Sequence, residues 1–373
     1  MSENIDYVRS SEEPIAPTLQ QAGLSGAGGG GFPTYVKWSS MSDIDHLLVN
    51  HQESEPNCYV DKWIGREHAD ELATLFDALL EERLDSVVIG AKLKDRDPWV
   101  RPLEEATDAT VRKPDQLPID PQSESGVVLA YTDAKYELGM ENVLLQEATG
   151  TIIGKDLPVD YGWIVQNTET MYNIWRALSQ ETPVLHKFVH VDGYLSDGSR
   201  VPHRMFKAPI GTSAETLLEA AGVDADGLAN DRTLVEGGPG WCFKVQRPAD
   251  RYGTTKRTNC FMLLDEAVIA DHQYGNERIN VIDPLDWNHD DPDTEPTTVE
   301  PDRVHIPIVT NETYDDLVTG STPHVEFGDT VSAGEIVAES SSDGRFNVTH
   351  QTPISGVVSD VTPREIEVRK HGV

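Results

Sequence analysis

The 373-residue chain is long enough for two or three domains, each with its own core. It carries 64 acidic and 30 basic side chains, and this formal charge of −34 argues against binding to nucleic acid or to anionic membranes. The acidic residues are spread along the whole chain, which is typical of a protein from a high-salt cytoplasm, where charges are strongly screened. The alternative explanation is that the acidic residues form a binding face for a basic partner, but they are not concentrated in any one part of the sequence.

The N-terminus and the cysteines further limit the class of protein to which the chain can belong. Residues 1–14 are polar and acidic, and no apolar run reaches the roughly 18 residues of a membrane span, which predicts a soluble cytoplasmic protein. Cys58, Cys242 and Cys260 are far apart and have no C-x-x-C spacing. We therefore expect neither a disulfide framework nor a cysteine-only zinc or iron–sulfur site, and interpret each cysteine as a small apolar core residue.

The first half of the chain alternates strands with helices. A glycine-rich loop at 23–31 leads into a helix whose first turn contains Pro33, a position that suits proline. An apolar strand at 46–50, a helix at 66–83 and a buried strand at 86–90 predict a βαβ unit. The remaining predictions for this half are a charged, proline-rich surface excursion at 94–125, a strand at 126–131, a helix at 141–149, and a strand and a helix within 161–178.

The second half of the chain has a different residue pattern. Residues 184–265 alternate like β-strands around one helix, which Thr212 and Glu215 would open as a capping box. Residues 266–304 are rich in Asp, Asn and Pro and predict a linker with one short strand at 278–282. Two strand-and-turn repeats within 305–373 predict a compact all-β domain. The predicted domains are therefore 1–183, 184–265 and 305–373, with the linker between the last two.

The glycine-rich loop is the first candidate site. Backbone N–H groups in such a loop can approach an anionic or planar ligand closely, and the N-terminus of the following helix adds a favourable dipole. Lys37, one turn into that helix, would place a cation over the same ligand. An ordinary Rossmann fingerprint requires a strand directly before the glycines, and residues 12–22 do not make a convincing strand, so we reject that assignment.

The loop matches a longer pattern. Residues 23–37 fit G-x-x-G-x-G-G-x-G-F-P-T-x-x-K throughout. The chain therefore resembles the NADH-binding flavoprotein subunit of respiratory complex I and the C subunit of Rnf complexes, in which this stretch is the flavin loop. The resemblance implies that FMN is bound here, with Lys37 and backbone amides stabilising the reduced flavin. The implied loop contacts are Gly26, Gly28, Gly29, Gly31, Phe32 and Lys37.

A second stretch resembles the family's N-x-x-E-x-E-P turn. It begins at Asn50, which the resemblance places in contact with the flavin. Glu55 would face the nicotinamide and, with Lys37, is a candidate catalytic residue. Glu53 taken alone is an ordinary acidic turn residue. Gln52 replaces an aspartate of the complex I form, so this turn follows the Rnf form and that of the related cobalamin reductases.

Two further matches follow in the family's order, up to about residue 178. Tyr136, Gly139 and Glu141 resemble the element that forms the NADH cleft beside Phe32, and the single glutamate at this place again follows the Rnf form. In the last match, Asn167 and Thr170 fit V-x-N-x-x-T, whose Asn and Thr bind the phosphate end of the flavin. Four matches in the right order make an accidental resemblance improbable.

The rest of the chain resembles other parts of the same family. Residues 184–265 are similar to its β-grasp (SLBB-type) module, to which we assign no catalysis. In the relatives a ferredoxin-like segment with two cysteine clusters follows, but here only Cys260 remains, so no iron–sulfur cluster or other metal is expected on this chain. Residues 305–373 resemble a barrel-sandwich hybrid domain, placed last as in propanediol-utilisation cobalamin reductase. Its hairpin at 339–345 lacks a lysine, which predicts an unmodified structural or docking domain.

The implied fold is α/β: a Rossmann-like FMN-binding domain, a β-grasp module and an all-β domain. The implied function is that of a flavin-dependent electron-transfer subunit, which exchanges electrons with a nicotinamide nucleotide, NADH, through FMN and passes them to a partner protein or other subunits. The alternative is a non-catalytic assembly subunit that keeps the fold without flavin. A third hypothesis, sensing of a small ligand through the β-grasp module, rests on fold analogy alone.

Overall fold

The computed structural model describes residues 15–223, 232–287, 295–314, 317–341 and 345–372. The polar N-terminal segment predicted at 1–14, and residues 342–344 of the predicted hairpin, lie outside the described residues. The chain forms two compact units. The first comprises Thr34–Ser54, Tyr59–Thr182 and the described residues up to Gly26, and the second comprises Ala27–Pro33, Glu55–Cys58 and the described residues from Pro183 onward.

The first unit is a five-stranded sheet with helices. Its strands are β1 (His46–His51), β2 (Ser86–Lys92), β3 (Thr110–Arg112), β4 (Gly126–Thr132) and β5 (Trp163–Asn167). Its helices are α1 (Ile15–Gln21), α2 (Thr34–Trp38), α3 (Val60–Glu67), α4 (Ala69–Glu82), α5 (Arg101–Ala106), α6 (Glu141–Thr149) and α7 (Thr168–Gln180). Because helices cover a parallel sheet, β1 and β2 consist largely of buried apolar residues.

The strand order places a topological switch beside β1. All pairings are parallel, and the order is β3-β4-β2-β1-β5. After β4 the chain returns to the other side of β1, so the carboxyl ends of β1 and β5 flank the switch, where open α/β sheets bind ligands. There the register pairs Asn50 with Asn167. The predicted βαβ unit is confirmed.

The helix predicted at 66–83 is two helices. α3 ends at Glu67 and α4 begins at Ala69, because His68 between them has the non-helical angles φ −120° and ψ 31°. The His68 ring stacks on Tyr172 of α7, with 4.2 Å between centroids. This contact lies far along the sequence, so apolar periodicity does not reveal the break.

The surface excursion predicted at 94–125 is partly wrong. The stretch contains α5 and β3, and β3 pairs with β4 as an edge strand of the sheet. Trp99, Val100 and Leu103 are fully buried. Charged residues that suggested an exposed stretch form an ion pair instead: the Arg96 guanidinium donates to both carboxylate oxygens of Glu104, at 2.6 and 2.8 Å.

The second unit begins with a six-stranded mixed sheet. Its order is β11-β7-β6-β10-β8-β9, with β6 parallel to β10 and β7 parallel to β11. The strands are β6 (His186–Gly193), β7 (Arg204–Pro209), β8 (Arg232–Gly238), β9 (Trp241–Lys244), β10 (Cys260–Asp265) and β11 (Thr297–Thr298), and the helices are α8 (Ala214–Ala220) and α9 (Glu266–His272). The capping box predicted from Thr212 and Glu215 is wrong. Ser213 is the N-cap of α8 and accepts from the Thr216 amide, whereas the Thr212 hydroxyl donates to the Pro209 carbonyl.

The stretch predicted as a linker is structured up to residue 287. α9 lies within it, and Ile279, Val281 and Trp287 are buried in the same apolar cluster as Cys242. The short strand predicted at 278–282 is limited to isolated bridges at Ile279. The polar composition of this stretch does not predict its structure, because only a few buried apolar residues stabilise it. Residues 288–294 lie outside the described residues.

Residues 303–372, here called the C-terminal β region, form two small antiparallel sheets. The orders are β12-β18-β17-β14 and β13-β15-β16. The strands are β12 (Arg303–Pro307), β13 (Thr322–Pro323), β14 (Thr330–Val331), β15 (Ile336–Glu339), β16 (His350–Gln351), β17 (Gly356–Val361) and β18 (Glu365–Arg369). The all-β prediction is confirmed for the described residues, while the β-grasp and barrel-sandwich assignments stay predictions. No helix in the described ranges is long and apolar enough to cross a membrane.

A buried histidine at the end of β1 gives the first unit a pH dependence. Burial, and then the charge of Lys62, lowers the pKa of His51 to about 4. Between pH 6.5 and 4 the unfolded chain binds a proton at His51 that the folded protein does not bind, so the free energy of unfolding falls as the pH falls. We expect His51 to contribute about 1.5 kcal/mol to this loss between pH 6.5 and 5.

The substitution His51→Asn should remove that contribution. Urea unfolding at pH 6.5 and 5, in one salt concentration, measures the difference for the wild type and the variant. His324→Asn, at an exposed position, controls for the substitution itself. Equal pH slopes for wild type and His51→Asn would contradict the assignment.

Candidate functional site

At the switch point of the first unit, two predicted site residues form an ion pair. Lys37 lies on α2 and Glu141 is the first residue of α6. The Lys37 ammonium donates to Glu141 Oε2 at 2.6 Å and to the Val165 carbonyl on β5 at 3.0 Å. Both side chains remain partly exposed. The cation predicted for the flavin and the carboxylate predicted for the nucleotide cleft are thus brought together.

Asn50 connects the end of β1 with the turn before α6. Its Nδ2 donates to the Gly139 carbonyl at 2.8 Å, and its Oδ1 accepts from the Gln52 amide at 3.2 Å. Gly139 admits no side chain, because a Cβ there would lie 1.6 Å from Ser54 Oγ. Tyr136 opens the same 3₁₀ turn and is half-buried. The structure therefore groups Asn50, Tyr136, Gly139 and Glu141.

A buried aspartate that the sequence analysis missed holds the other side of the switch point. Asp61 Oδ2 accepts from Asn167 Nδ2 at 2.5 Å, and Asp61 Oδ1 accepts from the Glu169 amide at 3.1 Å. Asn167 Oδ1 in turn accepts from the Thr170 amide at 3.3 Å and caps α7. Asn167 and Thr170 thus lie at a helix N-terminus that already carries a carboxylate, which the helix dipole stabilises. An aspartate in the first turn of a helix is common, so the local sequence gives no signal of this role.

Several buried polar atoms of the first unit have no hydrogen-bond partner within the part of the chain that the structure describes. They include Ser25 Oγ, Thr34 Oγ1 and Gln166 Nε2. Ser25 lies beside Gly26, Thr34 begins α2, and Gln166 precedes Asn167 on β5. A buried polar group without a partner costs about 1–3 kcal/mol, so such a group calls for an explanation, and a bound ligand is one.

The second half of the glycine loop belongs to the second unit. Gly29 and Gly31 have the left-handed φ values +89° and +63°, and Gly28 and Gly30 are exposed. The Phe32 ring contacts Tyr314 and Phe346 edge to face, with centroids 5.4 and 5.7 Å away. The aromatic residue predicted beside the NADH cleft is thus packed against the C-terminal β region.

Glu55 also lies in the second unit. Its Oε2 accepts from the Gly240 amide at 2.7 Å, in the turn between β8 and β9. A Cβ on Gly238 would lie 2.5 Å or less from the carboxylate atoms, so this glycine makes room for Glu55. The carboxylate predicted to face the nicotinamide therefore has a structural partner, and its contact with a nucleotide stays a prediction.

The three cysteines, distant in sequence, share one buried apolar cluster of the second unit. Cys58, Cys242 and Cys260 are free and pack with Met262 and Ile279. Burial raises the pKa of the Cys242 and Cys260 thiols, which keeps both protonated. Their interpretation as apolar core residues is confirmed. Across the described ranges, no set of three or more His, Cys, Asp or Glu residues is arranged to hold a metal ion.

Comparison with known proteins shows which family the first half of the chain resembles. Residues 19–176 match the Nuo51 FMN-binding domain. The C subunit of the ion-translocating oxidoreductase complex of Vibrio cholerae is 29% identical over 262 residues, which cover 69% of this chain and 30% of that protein. Cobalamin reductase PduS of Salmonella typhimurium is 30% identical over 231 residues, covering 61% of this chain and 45% of the reductase. The match thus spans less than half of either relative, and it confirms the resemblance to this family.

A solved structure supports the fold. A chain of the NAD+-reducing [NiFe]-hydrogenase in its H2-reduced state superposes with a TM-score of 0.52 at 19% identity. The superposition covers 72% of this chain and 50% of the hydrogenase chain. At this identity the likeness concerns the fold alone.

Two adjacent glycines of the loop should respond differently to the same substitution. A Cβ on Gly31 would lie 2.7 Å from the Thr310 carbonyl oxygen and would occupy a left-handed conformation, whereas a Cβ on Gly30 would meet no atom within 4 Å. We expect Gly31→Ala to lower the free energy of unfolding by about 2 kcal/mol. Gly30→Ala is the control and should leave it nearly unchanged. Urea unfolding without added cofactor measures both, and equal stabilities would refute this packing of the loop.

Proposed function

Because residues 19–176 belong to the Nuo51 FMN-binding domain family and the chain is related to an oxidoreductase-complex subunit and to cobalamin reductase, we propose that it is a flavin-dependent electron-transfer subunit. It exchanges electrons with a nicotinamide nucleotide, NADH, through FMN and passes them to a partner. The observation that carries the proposal is the set of unpaired buried polar atoms on Ser25, Thr34 and Gln166 of the first unit.

The residues of the first unit fit FMN chemically. The isoalloxazine ring has a polar edge that hydrogen-bonds, and the phosphate is an anion. The Ser25 and Thr34 hydroxyls and the Gln166 amide can donate such hydrogen bonds, and Lys37 supplies a cation. The first-unit contacts that we propose for FMN are Gly26, Lys37, Asn50, Tyr136, Gly139, Glu141, Asn167 and Thr170. Gly28, Gly29, Gly31 and Phe32, in the second unit, are proposed from the sequence pattern.

Bound FMN would supply the two-electron chemistry that side chains lack. Lys37 would favour negative charge on the reduced cofactor, because a fixed cation stabilises charge that develops beside it. Its bonds to Glu141 and to the Val165 carbonyl hold the ammonium in place before any reaction. Glu141 lowers the net positive charge around Lys37 and so weakens this stabilisation of the reduced cofactor.

The substrate and the partner are proposed from the relatives. Tyr136 and Glu141 would line the place of the nicotinamide in the first unit, and Glu55 is the proposed nucleotide contact of the second. The name of the Vibrio cholerae relative denotes a subunit of an ion-translocating complex, which supports electron transfer to a partner subunit. We propose that the chain acts in the cytoplasm and meets a membrane complex only through such partners.

A second candidate is an assembly subunit that keeps the fold without flavin. The observation that favours it is the engagement of predicted ligand residues by protein groups. Asp61 occupies the N-terminus of α7 at Asn167, and Glu55 bonds the Gly240 amide. These contacts would stabilise the fold without any cofactor.

The visible spectrum separates the two candidates. We expect protein purified in high salt, or reconstituted with FMN and desalted, to show the near-ultraviolet and blue bands of oxidised flavin. Addition of NADH without oxygen should bleach them. Flavin that stays oxidised would refute NADH as the donor, and a protein that stays colourless after added FMN would support the assembly subunit.

Substitutions in the Lys37–Glu141 pair should move the flavin potential in opposite directions. Lys37→Met removes the cation and should lower the midpoint potential of bound FMN by about 30 mV or more. Glu141→Gln removes the opposing charge, keeps the side-chain size and should raise the potential. Anaerobic redox titration of the two holoproteins measures both. Shifts of the same sign, or none, would show that Lys37 does not act on the flavin.

A further inference from the structure

The C-terminal β region holds the second half of the glycine loop through a specific hydrogen bond. Asn311 Nδ2 donates to the Gly30 carbonyl at 2.7 Å. Beside this bond, the Thr310 carbonyl closes off the Cβ position of Gly31, and Phe32 packs on Tyr314 and Phe346. Three consecutive loop residues, 30–32, are therefore fixed by one part of the β region.

The orientation of the Asn311 amide follows from its other contacts. Its Oδ1 accepts from the backbone N–H of Thr313 at 2.8 Å and from the Thr313 hydroxyl at 2.7 Å. A backbone N–H can only donate, so the oxygen of Asn311 must face Thr313 and the nitrogen must face Gly30. Asn311 is also buried, which makes an unmatched contact costly.

This bond sets the direction of a peptide group in the loop. In a trans peptide the C=O and the following N–H point in opposite directions. Anchoring the Gly30 carbonyl on Asn311 therefore turns the Gly31 N–H away from Asn311. Gly30 is exposed, with no neighbouring atom within 4 Å of its Cβ position, so the loop is open at this residue.

We propose that Asn311 is a positioning residue of the flavin site, assisted by the aromatic contacts of Tyr314 and Phe346. By fixing the Gly30–Gly31 peptide, it presents the Gly31 N–H as a donor to the flavin. The C-terminal β region then orders the backbone of this part of the loop, beyond the structural or docking role predicted from the sequence. The inference rests on the proposed function, because it requires FMN on the glycine loop.

Asn311→Asp is the sharpest test, since it preserves size and shape. The aspartate keeps an acceptor for Thr313 but turns a carboxylate oxygen towards the Gly30 carbonyl, where two acceptors repel. A role in packing alone would change the stability of the protein and leave the visible band of bound flavin unaltered. The matched control is Asn347→Asp in the same β region, because Asn347 is equally buried and its amide nitrogen donates to the hydroxyls of Ser341 and Thr319, which can reorient.

Titration of the full-length apoproteins with FMN, followed by flavin fluorescence, measures the effect. We expect Asn311→Asp to weaken FMN binding about ten-fold or more and Asn347→Asp to change it less than about two-fold. At saturating FMN, the visible band of the flavin should shift in Asn311→Asp alone, since loss of a donor to the ring alters its spectrum. Thermal unfolding verifies that both variants are folded.

The outcomes separate the inference from the proposed function. Wild-type protein that binds no FMN overturns both. Wild type that binds FMN, together with Asn311→Asp that binds it equally well, overturns only the positioning role. Equal weakening by both substitutions, with no change in the flavin band, also overturns it, because it would reflect general loss of stability in the β region.

Discussion

The first unit depends on one buried carboxylate at its switch point. Asp61 accepts hydrogen bonds from the Asn167 side chain and from the Glu169 amide, while its own amide donates to Glu53 Oε2 at 2.6 Å. These bonds join the turn after β1, the start of α3 and the start of α7. Breaking a buried, hydrogen-bonded charge leaves several groups unsatisfied at once. The geometry of the predicted ligand residues on β1 and β5 therefore depends on Asp61.

Two buried lysines of this acidic protein lie near the carboxyl ends of β1 and β2. Lys62 pairs with Asp95 at 3.4 Å with both side chains buried, and Lys92 donates to the Glu53 carbonyl at 2.9 Å. Burial lowers the pKa of Lys92 to about 8. Together with Lys37 these groups give the switch point cations that the overall charge of −34 does not suggest.

The glycine loop shows how one motif serves two structural roles. Its first part, up to Gly26, belongs to the first unit, and residues 27–33 belong to the second. Gly31 is required by conformation and by space, since its φ is positive and a Cβ would meet the Thr310 carbonyl. Neither restriction applies to Gly30. A glycine at this position leaves the loop backbone open, without a side chain to cover it. The same run of glycines therefore combines tightly packed positions with open ones.

Sequence alone was enough to predict the parallel sheet of the first unit, the bounds of α6, the buried cysteines and the family resemblance, because these depend on apolar periodicity and on short motifs. The folded chain was needed to reveal the break at His68, the buried residues within 94–125 and the order in the stretch taken for a linker. It also revealed the roles of Asp61 and Asn311, whose partners Asn167 and Gly30 lie 106 and 281 residues away. Local patterns report which face of an element is buried, whereas a hydrogen bond between distant residues exists only once the chain has folded.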